Sequence, residues 1–205
     1  MFNFKKIASL ALAACMLCCA SVNVFASEVQ ENGGTASTPV SLYSTDDGTL
    51  GGNPAGTAMS VTVPTALPMA MAQNGDVTTA TDCRIVNNSF GAVHVASVSI
   101  TADNGWNLTA FGDKSTLANE KVDSNKFGFA LSIGGGSQVV TDNSDTSAQN
   151  LISAPIAGCY LSGAGNPSGN SVLVQYDAIV TPLSAPVTNS TIANVVFVIE
   201  WDTAE

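Results

Sequence analysis

The sequence predicts an all-β fold, an antiparallel β-sandwich of immunoglobulin-like or jelly-roll type, preceded by a signal peptide and a flexible tail. Three observations support this prediction. Runs of β-favouring residues alternate with turn residues at intervals of about ten residues, a spacing typical of sandwiches and related barrels. No long stretch has helical periodicity. Two Asn-Gly pairs, Asn74-Gly75 and Asn104-Gly105, follow apolar runs, and such pairs favour hairpins because both residues tolerate the positive φ that a type I′ turn demands. The run after Asn74-Gly75 is therefore expected to return antiparallel.

Residues 1–26 have the composition of an export signal. Lys5 and Lys6 precede an apolar run over 7–20, and small residues precede a cleavage site after Ala26. Polar residues interrupt the apolar stretch, which makes it marginal for the roughly 20 residues that span a bilayer. Cleavage is therefore predicted in preference to an uncleaved membrane anchor.

A third interpretation of this segment remains open. The sequence Leu12-Ala13-Ala14-Cys15 resembles the lipobox of bacterial lipoproteins, in which the cysteine is acylated and becomes the mature N-terminus. Against this interpretation, the apolar run before Cys15 is short, and the chain stays hydrophobic well beyond it.

Residues 27–57 are rich in Gly, Ser, Thr, Asp and Asn and contain few large apolar residues. Such a segment cannot bury enough apolar surface to order itself, so it is predicted to be a flexible tail. Within it, polar and apolar residues alternate over Val40–Tyr43, which is either a short strand or part of the unstructured linker. Residues 58–205 form the single predicted sandwich domain.

The charge of the chain limits its partners. Cleavage after Ala26 removes two of the six cations and none of the 16 acids, so the mature chain has four cations against 16 acids and a net charge of −12. Nucleic acids and anionic membranes bind basic patches, so we expect neither nucleic-acid binding nor membrane insertion after cleavage. A secreted, cell-surface-associated protein is predicted, with other surface proteins, copies of itself or glycans as partners.

A series of short runs predicts the strands. In chain order these runs are 60–72, 76–86, 92–102, 106–111, 126–133, 137–141, 155–162, 171–180 and 193–201, with a short helix at 116–121. The run 92–102 changes its apolar phase between Val95 and Val98, which predicts a β-bulge. The run 193–201 is apolar on both faces, and we expect it in the middle of a sheet.

The chain lacks the residue sets that most catalytic sites need. His94 is its only histidine, which excludes histidine-paired metal sites and most imidazole relays, and strand alternation places it on an outward face. No serine-nucleophile motif is present, and pairs among so many acids single out no glycosidase site. Gly134–Gly136 lies between two strands and is predicted as a flexible turn, not a phosphate loop. We therefore expect no enzymatic activity and no cofactor.

Two patterns concern ligands. Asp142, Ser144 and Asp145 resemble half of a calcium loop, but the pattern breaks directly afterwards, which favours a polar connection between strands. Aromatic rings can stack on sugars, and Trp106, just after a turn, is the candidate for an exposed ligand contact. Trp201 falls on an apolar strand face and is predicted to belong to the core.

Three of the five cysteines lie in the signal region, and Cys83 and Cys159 remain after cleavage. In an oxidising compartment these two are a candidate disulfide. Closing the 76-residue loop between them would stabilise the fold by roughly 4 kcal/mol. Two buried free thiols are the alternative, because spacing along the chain does not show proximity.

Several short motifs lie between residue 59 and residue 111 and at the end of the chain. They are V-x-V-P-T, the N-G of a hairpin, I-V-N-N-S, N-G-W and a terminal W-D. With these motifs the chain resembles small exported β-rich surface proteins of Gram-positive bacteria, and more weakly fibre subunits of the TasA and camelysin type. The resemblance implies cell-surface localisation and a β-rich domain, and it supplies no catalytic residues.

These predictions favour a structural or adhesive protein of the cell surface. In a more specific version the chain is a fibre subunit, in which Val40–Tyr43 adds a strand to the sheet of the next subunit. The alternative is a non-catalytic binding module for a glycan or a partner protein, with Trp106 in its binding surface.

Overall fold

The computed structural model describes residues 42, 44–50 and 52–203. The predicted signal peptide with Cys15 lies outside these residues, as does Val40–Tyr43 apart from Leu42, whose side chain is 94% exposed. Gly56 ends the first of two units, and Thr57 begins the second. In the described part of the chain, no helix is long and apolar enough to cross a membrane.

The first unit contains a short loop within the segment predicted as a flexible tail. Thr45 and Pro54 form an isolated antiparallel bridge. Asp47 shapes the turn between them, because its carboxylate accepts hydrogen bonds from the hydroxyl and the amide of Thr49. The same two bonds lower the pKa of Asp47. The loop is therefore held by local polar contacts, which need no apolar core.

The regular secondary structure in the described part of the second unit is almost entirely β. Its only helix among the described residues is the single turn α1 (Ser115–Ala118). The strands are β1 (Val61–Thr62), β2 (Met69–Met71), β3 (Val77–Thr79), β4 (Arg84–Asn87), β5 (Val93–Ala102), β6 (Asn107–Thr109), β7 (Lys126–Ile133), β8 (Val139–Val140), β9 (Ala148–Ile152), β10 (Tyr160–Leu161), β11 (Ser171–Val180) and β12 (Ala193–Trp201). The prediction of an all-β fold is confirmed.

The strands form three sheets. The largest has the order β1-β4-β11-β7-β6, with β8 also paired to β7, and its pairings are antiparallel except that between β6 and β7. The second is centred on β5, which pairs with β12 along one edge and with β9 and β10 along the other. The hairpin of β2 and β3 is the third.

One hydrophobic core takes side chains from both larger sheets. In the first sheet, β7 supplies four alternating residues, all at most 4% exposed: Phe127, Phe129, Leu131 and Ile133. In the second sheet, β5 supplies Val93, Val95, Val98 and Ile100, all at most 1% exposed. The largest part of the core therefore comes from two long strands in different sheets.

A β-bulge in β5 makes its contribution to the core possible. The pairing of β5 with β12 shifts between Ser97 and Val95, so Ala96 is left over in the register. A strand without this extra residue would point Val98 and Ile100 away from the core, because successive side chains alternate between faces. Burial of each such side chain is worth roughly 1.5–3 kcal/mol. The bulge predicted from the change of apolar phase is confirmed.

The two Asn-Gly pairs make different connections. Asn74-Gly75 joins β2 to β3 in an antiparallel hairpin as predicted, but only Gly75 has a positive φ, 80°. A type I′ turn needs positive φ at both residues, so the expected turn type is wrong. Asn104 and Gly105 both have positive φ, 52° and 79°, yet they lead from β5 to β6 in the other large sheet. Turn chemistry alone therefore did not determine which strands pair.

The strand predicted over 76–86 is divided into β3 and β4, which lie in different sheets. Tyr176 of β11 occupies the break. Its hydroxyl donates to the carbonyl of Pro68 and accepts from the amide of Ala80, the latter at 3.2 Å. Burial of this hydroxyl raises the pKa of Tyr176. These two bonds attach the β2–β3 hairpin to the first sheet. The same amide of Ala80 also donates to the carbonyl of Pro68 at 3.4 Å.

The glycine turn after β7 is closely packed, contrary to the prediction of a flexible turn. A Cβ atom on Gly136 would lie 2.0 Å from the carbonyl oxygen of Ala157, and one on Gly158 would lie 2.0 Å from that of Ile133. Only Gly135 of this turn has open space around its Cα. The glycines are thus required for close approach of two backbone segments.

Candidate functional site: the free edge of β12

The strand β12 lies at the edge of the second sheet. Of the described strands, only β5 pairs with it, over all nine residues of β12. The expectation that this strand lies in the middle of a sheet is therefore wrong. Apolar residues on both faces report what packs above and below a strand, whereas a central position requires hydrogen-bonded neighbours on both sides.

Both faces of β12 are apolar, and neither is fully buried. The inward side chains of Val195, Phe197 and Ile199 are partly buried against the core. The outward side chains of Val196 and Val198 are 52% and 42% exposed. An exposed valine costs little by itself, but two on one strand beside an open edge form an apolar strip.

The backbone of β12 offers hydrogen-bonding groups on its unpaired side. At one end the amide of Asp103 donates to the carbonyl of Ile192 at 2.9 Å, and at the other the amide of Asp202 donates to that of Ala92 at 3.0 Å. Antiparallel strands bond through every second residue, so the even-numbered residues of β12 bond to β5. The odd-numbered residues, including Phe197, point their N–H and C=O groups away from β5.

The β12 edge lacks the features that usually protect an edge strand. Natural proteins block such edges with lysine, proline, bulges or very short strands. Residues 193–201 contain no lysine and no proline, and the extra residue of the bulge belongs to β5. Glu200 is the one charged residue in the strand. The arrangement is that of a sheet edge able to accept another strand.

His94 lies beside the C-terminal end of this edge. It is on the outward face of β5 as predicted, with its side chain 15% exposed. Its Nε2 atom is 3.9 Å from Oε2 of Glu200, its Nδ1 atom is 4.0 Å from Oδ1 of Asp202, and the ring of Tyr160 lies at a centroid distance of 5.6 Å. Among the described residues, no group of three or more His, Cys, Asp or Glu side chains is arranged to hold a metal ion.

The acidic loop after β8 uses its carboxylates locally. Asp142 accepts hydrogen bonds from the hydroxyl and the amide of Ser144, at 2.5 and 2.7 Å. Asp145 accepts them from the amide and the hydroxyl of Ser147, at 2.8 and 2.9 Å. These bonds lower the pKa of both carboxyl groups. The carboxylates thus shape the connection between β8 and β9. This agrees with the polar connection between strands that the sequence favoured.

The aromatic candidates do not form one surface. Trp106 is partly buried and meets the ring of Phe127 edge-on, with the centroids 6.2 Å apart. Trp201 packs inward over Gly91, where an added Cβ atom would lie 2.9 Å from the indole ring. Tyr160 is 52% exposed and lies in the second sheet, whereas Trp106 directly precedes β6 of the first sheet. Ligand contact by Trp106 stays a prediction.

Cys83 and Cys159 are both free thiols in the structure. Cys159 is fully buried in the core, and Cys83 is partly buried with its Sγ atom 3.9 Å from the carbonyl of Ala66. Cys83 directly precedes β4 of the first sheet, and Cys159 directly precedes β10 of the second sheet. A bridge between them stays a prediction, and titration under denaturing, non-reducing conditions checks it: two reactive thiols per mature chain would contradict the bridge.

The I-V-N-N-S motif contains a buried polar hub that sequence reasoning did not assign. Asn87 has no exposed surface, and its Nδ2 donates to the carbonyls of Gly91 and Ser162 at 2.8 and 2.9 Å. Its Oδ1 accepts from the amide of Ser89 at 2.9 Å. The only sign of this hub in the sequence was a polar residue at the end of an apolar run. The hydrogen-bond partners of Asn87 depend on the fold. Asn87 therefore has a structural role.

No family model matches the chain, and no curated protein or solved structure matches it either. The resemblance to exported surface proteins of Gram-positive bacteria therefore stays a prediction. The geometry of the β12 edge is the strongest guide to function.

Proposed function

We propose that this chain is an exported structural or adhesive protein of the cell surface, without catalytic activity, that works in a self-associated form. In this proposal the two larger sheets are the layers of a β-sandwich, and the β12 edge is the contact surface between copies. The fibre subunit expected from the sequence is one such assembly. The export signal predicted over residues 1–26 and the acidic composition support the location.

The observation that carries the proposal is the open β12 edge. An added strand would pair with N–H and C=O groups that now face away from β5, and its outward side chains would lie beside the exposed side chains of Val196 and Val198. Monomeric proteins rarely leave a long apolar edge without protection, because it pairs with other chains. An edge of this kind is therefore better explained as a binding surface than as a solvent-exposed border.

The charge distribution is compatible with contact at this edge. Residues 193–199 carry no charge, whereas the chain as a whole is strongly acidic. Electrostatic repulsion between two copies therefore comes from acidic residues outside the contact. Salt screens this repulsion, with a Debye length of about 8 Å at physiological ionic strength. We expect self-association to strengthen when the salt concentration is raised.

A charge placed on the β12 edge tests the proposal. Val196→Lys is expected to weaken self-association at least tenfold, because a lysine is the usual block on an edge strand. Val187→Lys is the matched control, since Val187 is 51% exposed and Val196 is 52% exposed, and both variants change the net charge equally. Light scattering coupled to size exclusion measures the dissociation constant. Equal behaviour of the two variants, or a parent protein that stays monomeric at high concentration, would overturn the proposal.

A further inference from the structure

We infer that the strand added to the β12 edge is β12 of a second copy, antiparallel to the first, with a two-fold axis at Phe197. This inference rests on the proposed function and specifies its contact. It commits to one occupant and to one register, both of which follow from the hydrogen-bond pattern and the side chains of β12.

The backbone supports this register. The odd-numbered residues of β12 point their hydrogen-bonding groups outward, so a bonded antiparallel pair must match odd residues with odd residues. Pairing around Phe197 does so, because Val195 then lies opposite Ile199 of the second copy. Of the registers that satisfy this rule, only the one centred on Phe197 pairs all nine residues of β12. Each shift by two residues leaves unpaired groups at both ends.

The side chains are complementary in the same register. On the outward face Val196 lies opposite Val198 of the second copy, so the two exposed pairs form one apolar strip. Asn194 lies opposite Glu200 of the second copy. Its side-chain amide donates one N–H to Asp103 at 3.3 Å and has a second N–H to donate to that carboxylate. A shift that moves the two C-terminal ends together would bring Glu200 of one copy towards Glu200 of the second copy. Like charges placed opposite each other destabilise a sheet.

The competing occupant is the tail segment Val40–Tyr43. It offers four residues to an edge of nine, so it would leave more than half of the β12 edge unpaired. A second β12 fills the edge completely and is present at the same concentration. A two-fold contact of this type is closed, so it produces a dimer, and a fibre would need a second contact surface.

Disulfide trapping tests the register. Val196 and Val198 of opposite copies would form a non-bonded pair, with Cα atoms about 4.5 Å apart, within the range for a disulfide. In a Cys83→Ser background, a mixture of Val196→Cys and mass-tagged Val198→Cys is expected to give covalent mixed dimers at least fivefold faster than either variant alone. Val187→Cys mixed with Val198→Cys is the matched control and should give only the background rate.

The outcomes separate this inference from the proposed function. Trapping between Leu42→Cys and Val196→Cys, without trapping between the two β12 variants, would overturn the inference in favour of the tail. Absence of any trapping, while Val196→Lys still weakens self-association, would overturn the register and leave the β12 edge as the contact surface. If Val196→Lys has no effect, the proposed function itself fails.

Discussion

Replacing Asn87 by Asp is expected to lower the free energy of unfolding by about 3–5 kcal/mol at neutral pH. The Nδ2 atom of Asn87 donates to the carbonyls of Gly91 and Ser162, and a carboxylate oxygen in its place would face both carbonyl oxygens without a donor. The residue has no exposed surface, so water cannot compensate. An uncompensated buried charge is among the most destabilising single changes.

The neighbouring residue provides the control for this prediction. Asn88 is exposed and donates to the hydroxyl of Thr62 at 3.1 Å, so Asn88→Asp introduces the same charge one position away at a cost below about 1 kcal/mol. Urea denaturation of both variants measures the difference. Similar losses in the two variants would contradict the role of Asn87 as a buried hub.

Proline at Val195 is expected to weaken self-association at least tenfold while the fold remains intact. The N–H of Val195 faces away from β5, so its removal deletes a donor to the partner strand and none within the sheet. Edge strands tolerate proline where the missing N–H faces solvent. The expected loss in affinity is at least tenfold, or about 1.4 kcal/mol.

The matched variant is Val196→Pro, which shifts the change by one residue. The N–H of Val196 bonds to β5, so its loss leaves a carbonyl without a partner and is expected to cost about 1–3 kcal/mol of unfolding free energy. Val195→Ala keeps the backbone donor and controls for loss of the side chain. Thermal unfolding and size exclusion distinguish the variants. If Val195→Pro unfolds the domain as strongly as Val196→Pro, the assignment of the free side of β12 is wrong.

Strands with strong local patterns were predicted well from the sequence. The bounds of β7, β11 and β12 match the predicted runs, because long alternation of apolar residues is independent of the rest of the fold. The strand β9 was missed, since Ala148–Ile152 has little apolar alternation and is a strand through its pairing with β5. The parallel pairing of β6 with β7 likewise depends on contacts between distant segments.

The candidate site was visible in the sequence only in part. The alternation over 193–201 identified Val196 and Val198 as one apolar face, but a buried central strand and an edge strand awaiting a partner have the same pattern. Asn87 could not be recognised as a hub, because Ser162 lies 75 residues away along the chain. Its burial depends on loops that the sequence marks only as polar.

Amide hydrogen exchange along β12 tests the central claim most directly. In dilute protein the amides of Val196 and Val198, which bond to β5, should be protected, and those of Val195, Phe197 and Ile199 should exchange fast. In concentrated protein all five should be protected. Fast exchange at the three odd-numbered positions at every concentration would contradict self-association through the β12 edge.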